Sequence, residues 1–121
     1  MANTTMRPLI IINDAPYGSE KPYNALRLAR ALTDHTDEPV HVFLFGNAVG
    51  CAVAGQDTPD GYYKLDRMLR SVARKGGVIG CCSECMNARG IGDDQLIDEA
   101  HRSSMDELTK WTASADRVLT F

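Results

Sequence analysis

The stretch "PLIIIN", residues 8–13, decides the fold. A strand with one face in water alternates apolar and polar residues, whereas an unbroken run of β-branched residues marks a strand buried on both faces. "VHVFLF" (40–45) repeats the pattern, "GVIGCC" (77–82) reads as a third strand, and "RVLTF" (117–121) as a last one. Doubly buried strands belong to parallel sheets, and parallel neighbours need a crossover, usually a helix, to join them. The segments between the runs are therefore expected to be helical.

They carry that period. Pro22, Ala25, Leu26, Ala29 and Leu32 fall three and four apart, with Arg27 and Arg30 on the opposite side. Ser19 is a candidate cap, and Pro22 suits a first turn, where it has no hydrogen bond to lose. "AVGCAVA" (48–54) reads as one or two helical turns and "GQDTPDGYY" (55–63) as a surface loop. Leu65, Met68, Leu69 and Val72 form the next stripe, Asp66 and Arg70 stand one turn apart, and Arg74, Lys75 and Gly76 end the helix. "DDQLIDEA" (93–100) suits a short helix with acids at its positive end. Ser104 and Glu107 have the spacing of a capping box before a last helix that buries Met105, Leu108 and part of Trp111 or Thr112. The expectation is one α/β domain spanning 1–121, with a mainly parallel sheet covered on both faces. Ligands of such sheets gather at the carboxyl ends of the strands, here residues 13–18, Gly46 and Asn47, and a loop from Cys82 to Gly92.

With 121 residues, 44% of them apolar and 24% charged, and a formal net charge of −3, the composition is that of an ordinary globular chain. Basic residues lie among acids, so no nucleic-acid partner is expected. "MANTTMRP" (1–8) lacks the apolar segment of a secretory signal, and no run approaches the roughly 20 apolar residues that span a bilayer. A cytoplasmic protein without membrane contact is expected. In that compartment thiols stay reduced, so clustered cysteines point to metal or redox chemistry more than to a staple.

The cluster is "GCCSECMNARG" (80–90), with three of the four cysteines in five positions. Structural zinc takes four ligands, typically two knuckles or a knuckle and a histidine pair; this chain has one knuckle, and His35, His41 and His101 are widely spaced, as surface or helix-end residues are. Adjacent side chains in a strand point to opposite faces, so Cys81 and Cys82 do not chelate together easily. No metal and no cofactor are expected. Cys51 and Cys81 read as small buried hydrophobes. Cys82 and Cys85 differ: they stand where a strand gives way to a loop, at a spacing that permits a disulfide and suits redox or sulfur chemistry. Arg89 favours a thiolate there and Glu84 opposes it, each by roughly 1 kcal/mol near a surface. Backbone amides at the turn tip the balance toward a depressed pKa at Cys82 or Cys85.

"DAPYGSEKPYNALRLARAL" (14–32), "VFLFGNAV" (42–49), "CSECMNARG" (82–90), "SSMDEL" (103–108) and the terminal "VLTF" together resemble the DsrE/DsrF-like family over nearly the whole chain. The resemblance implies a three-layer α/β/α fold, assembly as a homotrimer or homohexamer, and a place among sulfur-relay proteins that carry sulfur as a cysteine persulfide. Cys82, Cys85, Arg89 and Gly90 match the family's C-x-x-C-x-x-A-R-G stretch, which leaves open which thiol carries the sulfur. The partners implied are sulfur donor and acceptor proteins or small thiols. Arg89 would steady the anionic persulfide, and Asp14, Tyr17 and Asn47 are candidate lining residues, with turn and packing roles as the plainer alternative. A thiol–disulfide oxidoreductase and a binding module with inert cysteines remain the competing readings.

Overall fold

The computed structural model describes residues 5–121; residues 1–4, the start of the stretch read as lacking a signal, lie outside the described residues. Five strands, β1 (Pro8–Ile12), β2 (His41–Leu44), β3 (Val78–Cys82), β4 (Ala100–Ser103) and β5 (Arg117–Thr120), form one sheet in the order β4-β3-β2-β1-β5. Every pairing is parallel. Helices α1 (Lys21–Thr33) and α2 (Leu65–Arg74) cover one face and α4 (Met105–Ser114) the other, which makes the three layers.

The doubly buried runs explain the split core. Ile10, Ile12, Val42, Leu44, Ile79 and Cys81 point toward α1 and α2, where they meet Ala25, Leu26, Ala29, Leu65, Leu69 and Val72. Their neighbours in sequence, Leu9 and Phe43, point the other way and meet Leu108 of α4. Trp111 lies over Gly80, where an added Cβ would stand 3.0 Å from its ring. No helix among the described residues is long and apolar enough to cross a membrane.

Several local expectations are corrected. The segment 93–100 is not a helix: only Asp93–Gln95 makes a 3-10 turn, because Leu96 and Ile97 turn into the core and the segment bonds to 52–54 instead. Its last residue opens β4, a strand that "AHRS" does not announce, since an edge strand pairs on one side and needs no apolar run. Residues after Cys82 are not loop but a short helix, α3 (Ser83–Ala88). Met105 is 61% exposed rather than buried. Ser19 precedes the N-cap residue Glu20 but still accepts the Lys21 amide at 3.2 Å. Arg70 pairs with Glu99 at 3.4 Å, and buried Asp66 accepts the amides of Gln56 and Arg67. His41 and His101 occupy strands and flank Trp111, at 4.6 and 6.0 Å between ring centres.

Candidate functional site

The site grows from the end of β3. Strand alternation sends Cys81 into the large core, where it is fully buried, and leaves Cys82 half-buried at the opposite face. Cys82 is also the N-cap of α3, its Sγ accepting the amide of Cys85 at 3.4 Å. One helical turn then brings Cys85 back over Cys82. The two sulfurs stand 2.7 Å apart as free thiols, Cys85 donating to Cys82, and a disulfide would need about 2.05 Å.

The end of β2 supplies the other half. Gly46 takes a left-handed conformation, φ 55°, and donates its amide to the Sγ of Cys85 at 3.1 Å. Asn47 follows, and its Oδ1 accepts from Nε and Nη2 of Arg89 at 3.0 and 2.6 Å, while Nη1 of Arg89 donates to the Cys85 carbonyl at 3.0 Å. These partners are neutral, and no carboxylate pairs with Arg89 among the described residues. Its charge stays available beside Cys85.

A cavity of about 150 Å³ reaches the two sulfurs. Phe43, Phe45 and Met105 give it apolar walls, and Ser83, Glu84 and Ser104 polar edges. A groove of about 340 Å³ between α1 and α2 is larger, but Leu26, Arg27, Arg30, Ala31, Met68 and Ser71 line it, and none is a thiol. The smaller cavity is the one with chemistry in it.

Burial above all pushes the Cys82 thiol above its ordinary range, so the expected depression is not found at that residue. Burial drives Cys51 and Cys81 further, each up to about 12. No group of three or more His, Cys, Asp or Glu side chains among the described residues is arranged to hold a metal ion.

Of the residues proposed from sequence, Cys82, Cys85, Arg89 and Asn47 come together. Asp14 and Tyr17 are engaged elsewhere. Asp14 accepts from Ser19 at 2.7 Å. Tyr17, at a positive φ of 66°, donates to Gln56 and accepts the Leu65 amide at 3.1 Å, and its ring meets Tyr62 and Tyr63. That arrangement ties the 55–63 segment to the start of α2. Sequence reading misses the cavity walls. Phe43 and Phe45 carry a signal, since alternation along "VHVFLF" puts both on the face that Cys82 shares; Met105 and the Gly46 amide carry none.

Comparison with known proteins agrees with this architecture. The family model described as DsrE/DsrF-like matches residues 6–121. Protein YchN of Escherichia coli strain K12 is 39% identical over 114 residues, covering 93% of this chain and 97% of that protein. Protein MJ0989 of Methanocaldococcus jannaschii is 34% identical over 117 residues, covering 96% of this chain and all of the relative. The crystal structure of YchN from E. coli superimposes with a TM-score of 0.90 over 96% of this chain and 99% of that one, at 38% identity. Protein MTH1491 of Methanobacterium thermoautotrophicum shares the fold, with a TM-score of 0.73 at 12% identity. The chain belongs to the DsrE/DsrF-like family.

Proposed function

We propose that the protein is a sulfur-relay protein that accepts sulfane sulfur on the Cys82–Cys85 pair as a persulfide and passes it to an acceptor thiol. The observation that carries the reading is the pair itself: two free, half-buried sulfurs 2.7 Å apart, with the Gly46 amide directed at Cys85. Family membership supports the same class of function.

Each step conserves atoms and electrons with an external persulfide donor, an acceptor thiol and, for the disulfide exit, a thiol reductant. A protein thiolate attacks the terminal sulfur of a donor persulfide; the donor S–S bond breaks, the donor leaves as a thiolate, and the protein holds Cys–S–SH. An acceptor thiolate then attacks that outer sulfur and regenerates the cysteine thiolate. In the alternative exit, the second cysteine attacks the inner sulfur, forming the Cys82–Cys85 disulfide and releasing hydrogen sulfide; a thiol reductant must then reset the pair. The Gly46 amide is directed at the Cys85 sulfur, the Arg89 guanidinium stands beside it on the Cys85 carbonyl, and apolar walls border the reacting sulfurs. Asp14 and Tyr17 complete the proposed residue set as supports of the loops beside the site. The reading extends to one domain working in the cytosol as a homotrimer or homohexamer, with donor and acceptor proteins or small thiols as partners.

The short sulfur separation also favours a thiol–disulfide oxidoreductase, and one experiment divides the readings. Intact mass is measured after incubation with a persulfide donor, for the native chain, Cys82→Ser and Cys85→Ser. A gain of sulfur that reductant removes and one substitution abolishes establishes the carrier and its residue. Loss of two hydrogens in the native chain with no sulfur gained by either serine variant means the oxidoreductase, because a relay that empties through the disulfide still loads a lone cysteine, and no change in any form means a binding module with inert cysteines.

A further inference from the structure

Helix α3 carries Cys85 but has little of its own to hold it in place. It has six residues, and isolated helices shorter than about 12–15 residues are marginal in water. Met86 is its one buried residue. Cys82, by contrast, belongs to β3, which is paired on both sides. The separation of the sulfurs therefore depends on what pins α3 to the sheet.

At the β2 side the Gly46 amide on Cys85 and the Arg89–Asn47 bonds contribute, and from β4 Arg102 makes the most extensive connection. It lies on β4 in register with Cys81. Its Nη1 donates to the Ser83 carbonyl at 3.3 Å, to the Ser83 hydroxyl at 2.8 Å and to Asn87 Oδ1 at 3.0 Å. Its Nη2 donates to the Ile91 carbonyl at 3.5 Å, and its Nε to the Asp93 carboxylate. One planar group thus ties together the first residue of α3, its last turn and the segment that follows. We infer that Arg102 is a positioning residue that holds Cys85 within bonding range of Cys82.

The inference rests on Cys82 and Cys85 being the working pair, whether they carry sulfane sulfur or cycle as a disulfide. Its physical content is effective concentration. Misplacement of reacting groups by about 1 Å can cost on the order of 100-fold, and the sulfurs have less than that to travel. Lysine does not substitute, because one ammonium cannot span acceptors that a rigid fork of five N–H groups reaches together.

The test uses no sulfur donor, so its outcome is independent of persulfide loading. The native chain, Arg102→Lys and Arg102→Met are equilibrated in glutathione buffers, acid-quenched, and weighed for the loss of two hydrogens. In that exchange the two thiols give up two protons and two electrons, an S–S bond forms between them, and glutathione disulfide leaves as two glutathione molecules. Arg70→Met, which breaks the Arg70–Glu99 pair away from α3, controls for general destabilisation. The expected result is an oxidation constant about tenfold lower in both Arg102 variants, roughly 30 mV, and unchanged in Arg70→Met. A native constant in Arg102→Met, full restoration by lysine, or an equal fall in Arg70→Met would each overturn the assignment. Asn87→Ala removes one exposed acceptor of the fork, covers the case in which Arg102→Met does not fold, and is expected to lower the constant by about threefold; no fall there also overturns it.

Discussion

Raising the pH from 7 to 10 should destabilise this protein through two cysteines that take no part in the proposed chemistry. Cys51 and Cys81 are fully buried, and burial lifts each thiol from an ordinary 9.0 to about 12. In the folded chain both stay protonated at pH 10, whereas in the unfolded chain both ionise above 9. The unfolded state then binds fewer protons, so stability falls as pH rises. The stabilisation is complete below pH 9 and is lost progressively as pH climbs toward 12. At pH 10 the loss is about 1.4 kcal/mol per thiol, or about 3 kcal/mol for the pair, against a typical total of about 5–15 kcal/mol. Tyr17 and Tyr63, raised mainly by burial, add to the alkaline loss, so the cysteine part must be isolated. Urea unfolding at pH 7 and 10, with reductant, for the native chain and for Cys51→Ala/Cys81→Ala does this. The variant begins less stable because it leaves small cavities, but its further loss between the two pH values should be smaller by about 3 kcal/mol. Equal losses in the two proteins would refute the argument. The functional counterpart is selectivity: at pH 8 about one in ten thousand of each buried thiol is ionised.

Iodoacetamide at pH 8 should accordingly label Cys82 and Cys85 in the native chain and spare Cys51 and Cys81, with peptide mapping as the readout; labelling of all four at similar rates would count against the burial argument. Gly77→Ala would put a Cβ 2.5 Å from Val72 Cγ1 and 2.8 Å from the Val72 carbonyl oxygen, and should cost about 2–4 kcal/mol in a urea melt because backbone cannot give way cheaply. Gly80→Ala meets Ser103 and Trp111 at 3.0 Å; a loss of about 1–2 kcal/mol is expected, with a shift in the emission of the chain's single tryptophan. Asn47→Ala frees Arg89 from two exposed hydrogen bonds, and persulfide loading should slow by roughly three- to tenfold with the melting temperature unchanged.

The difference between what the sequence discloses and what it hides follows the reach of the forces involved. Burial leaves a period that any local window records: "PLIIIN", "VHVFLF" and "GVIGCC" announce β1, β2 and β3 because each must present apolar groups to both layers. The Ser104 cap is equally local, and its Oγ accepts the Glu107 amide at 3.2 Å as the spacing requires. β4 escapes because its identity is conferred from outside. "AHRS" extends only because β3 offers an unpaired edge, and Arg102 and Ser103 are spent on partners nine to nineteen and four residues away in the chain. α3 escapes for the converse reason, being too short for its period to register and held instead by Arg102. The candidate site divides along the same line. Cys82, Cys85 and Arg89 lie within one motif and can be read together, but the amide on Cys85 comes from Gly46, 39 residues earlier, and the exposed wall residue Met105 comes from α4. A thiol pair is thus legible as a pair, while the environment that selects its chemistry is assembled by the sheet, which brings the ends of β2, β3 and β4 to one edge. Since Cys82 is pushed up by burial against those walls while Cys85 receives the Gly46 amide, the fold distinguishes two sulfurs that the motif presents as equals. In the relay proposed above, that distinction would serve the disulfide exit, in which one sulfur holds the cargo and the other releases it.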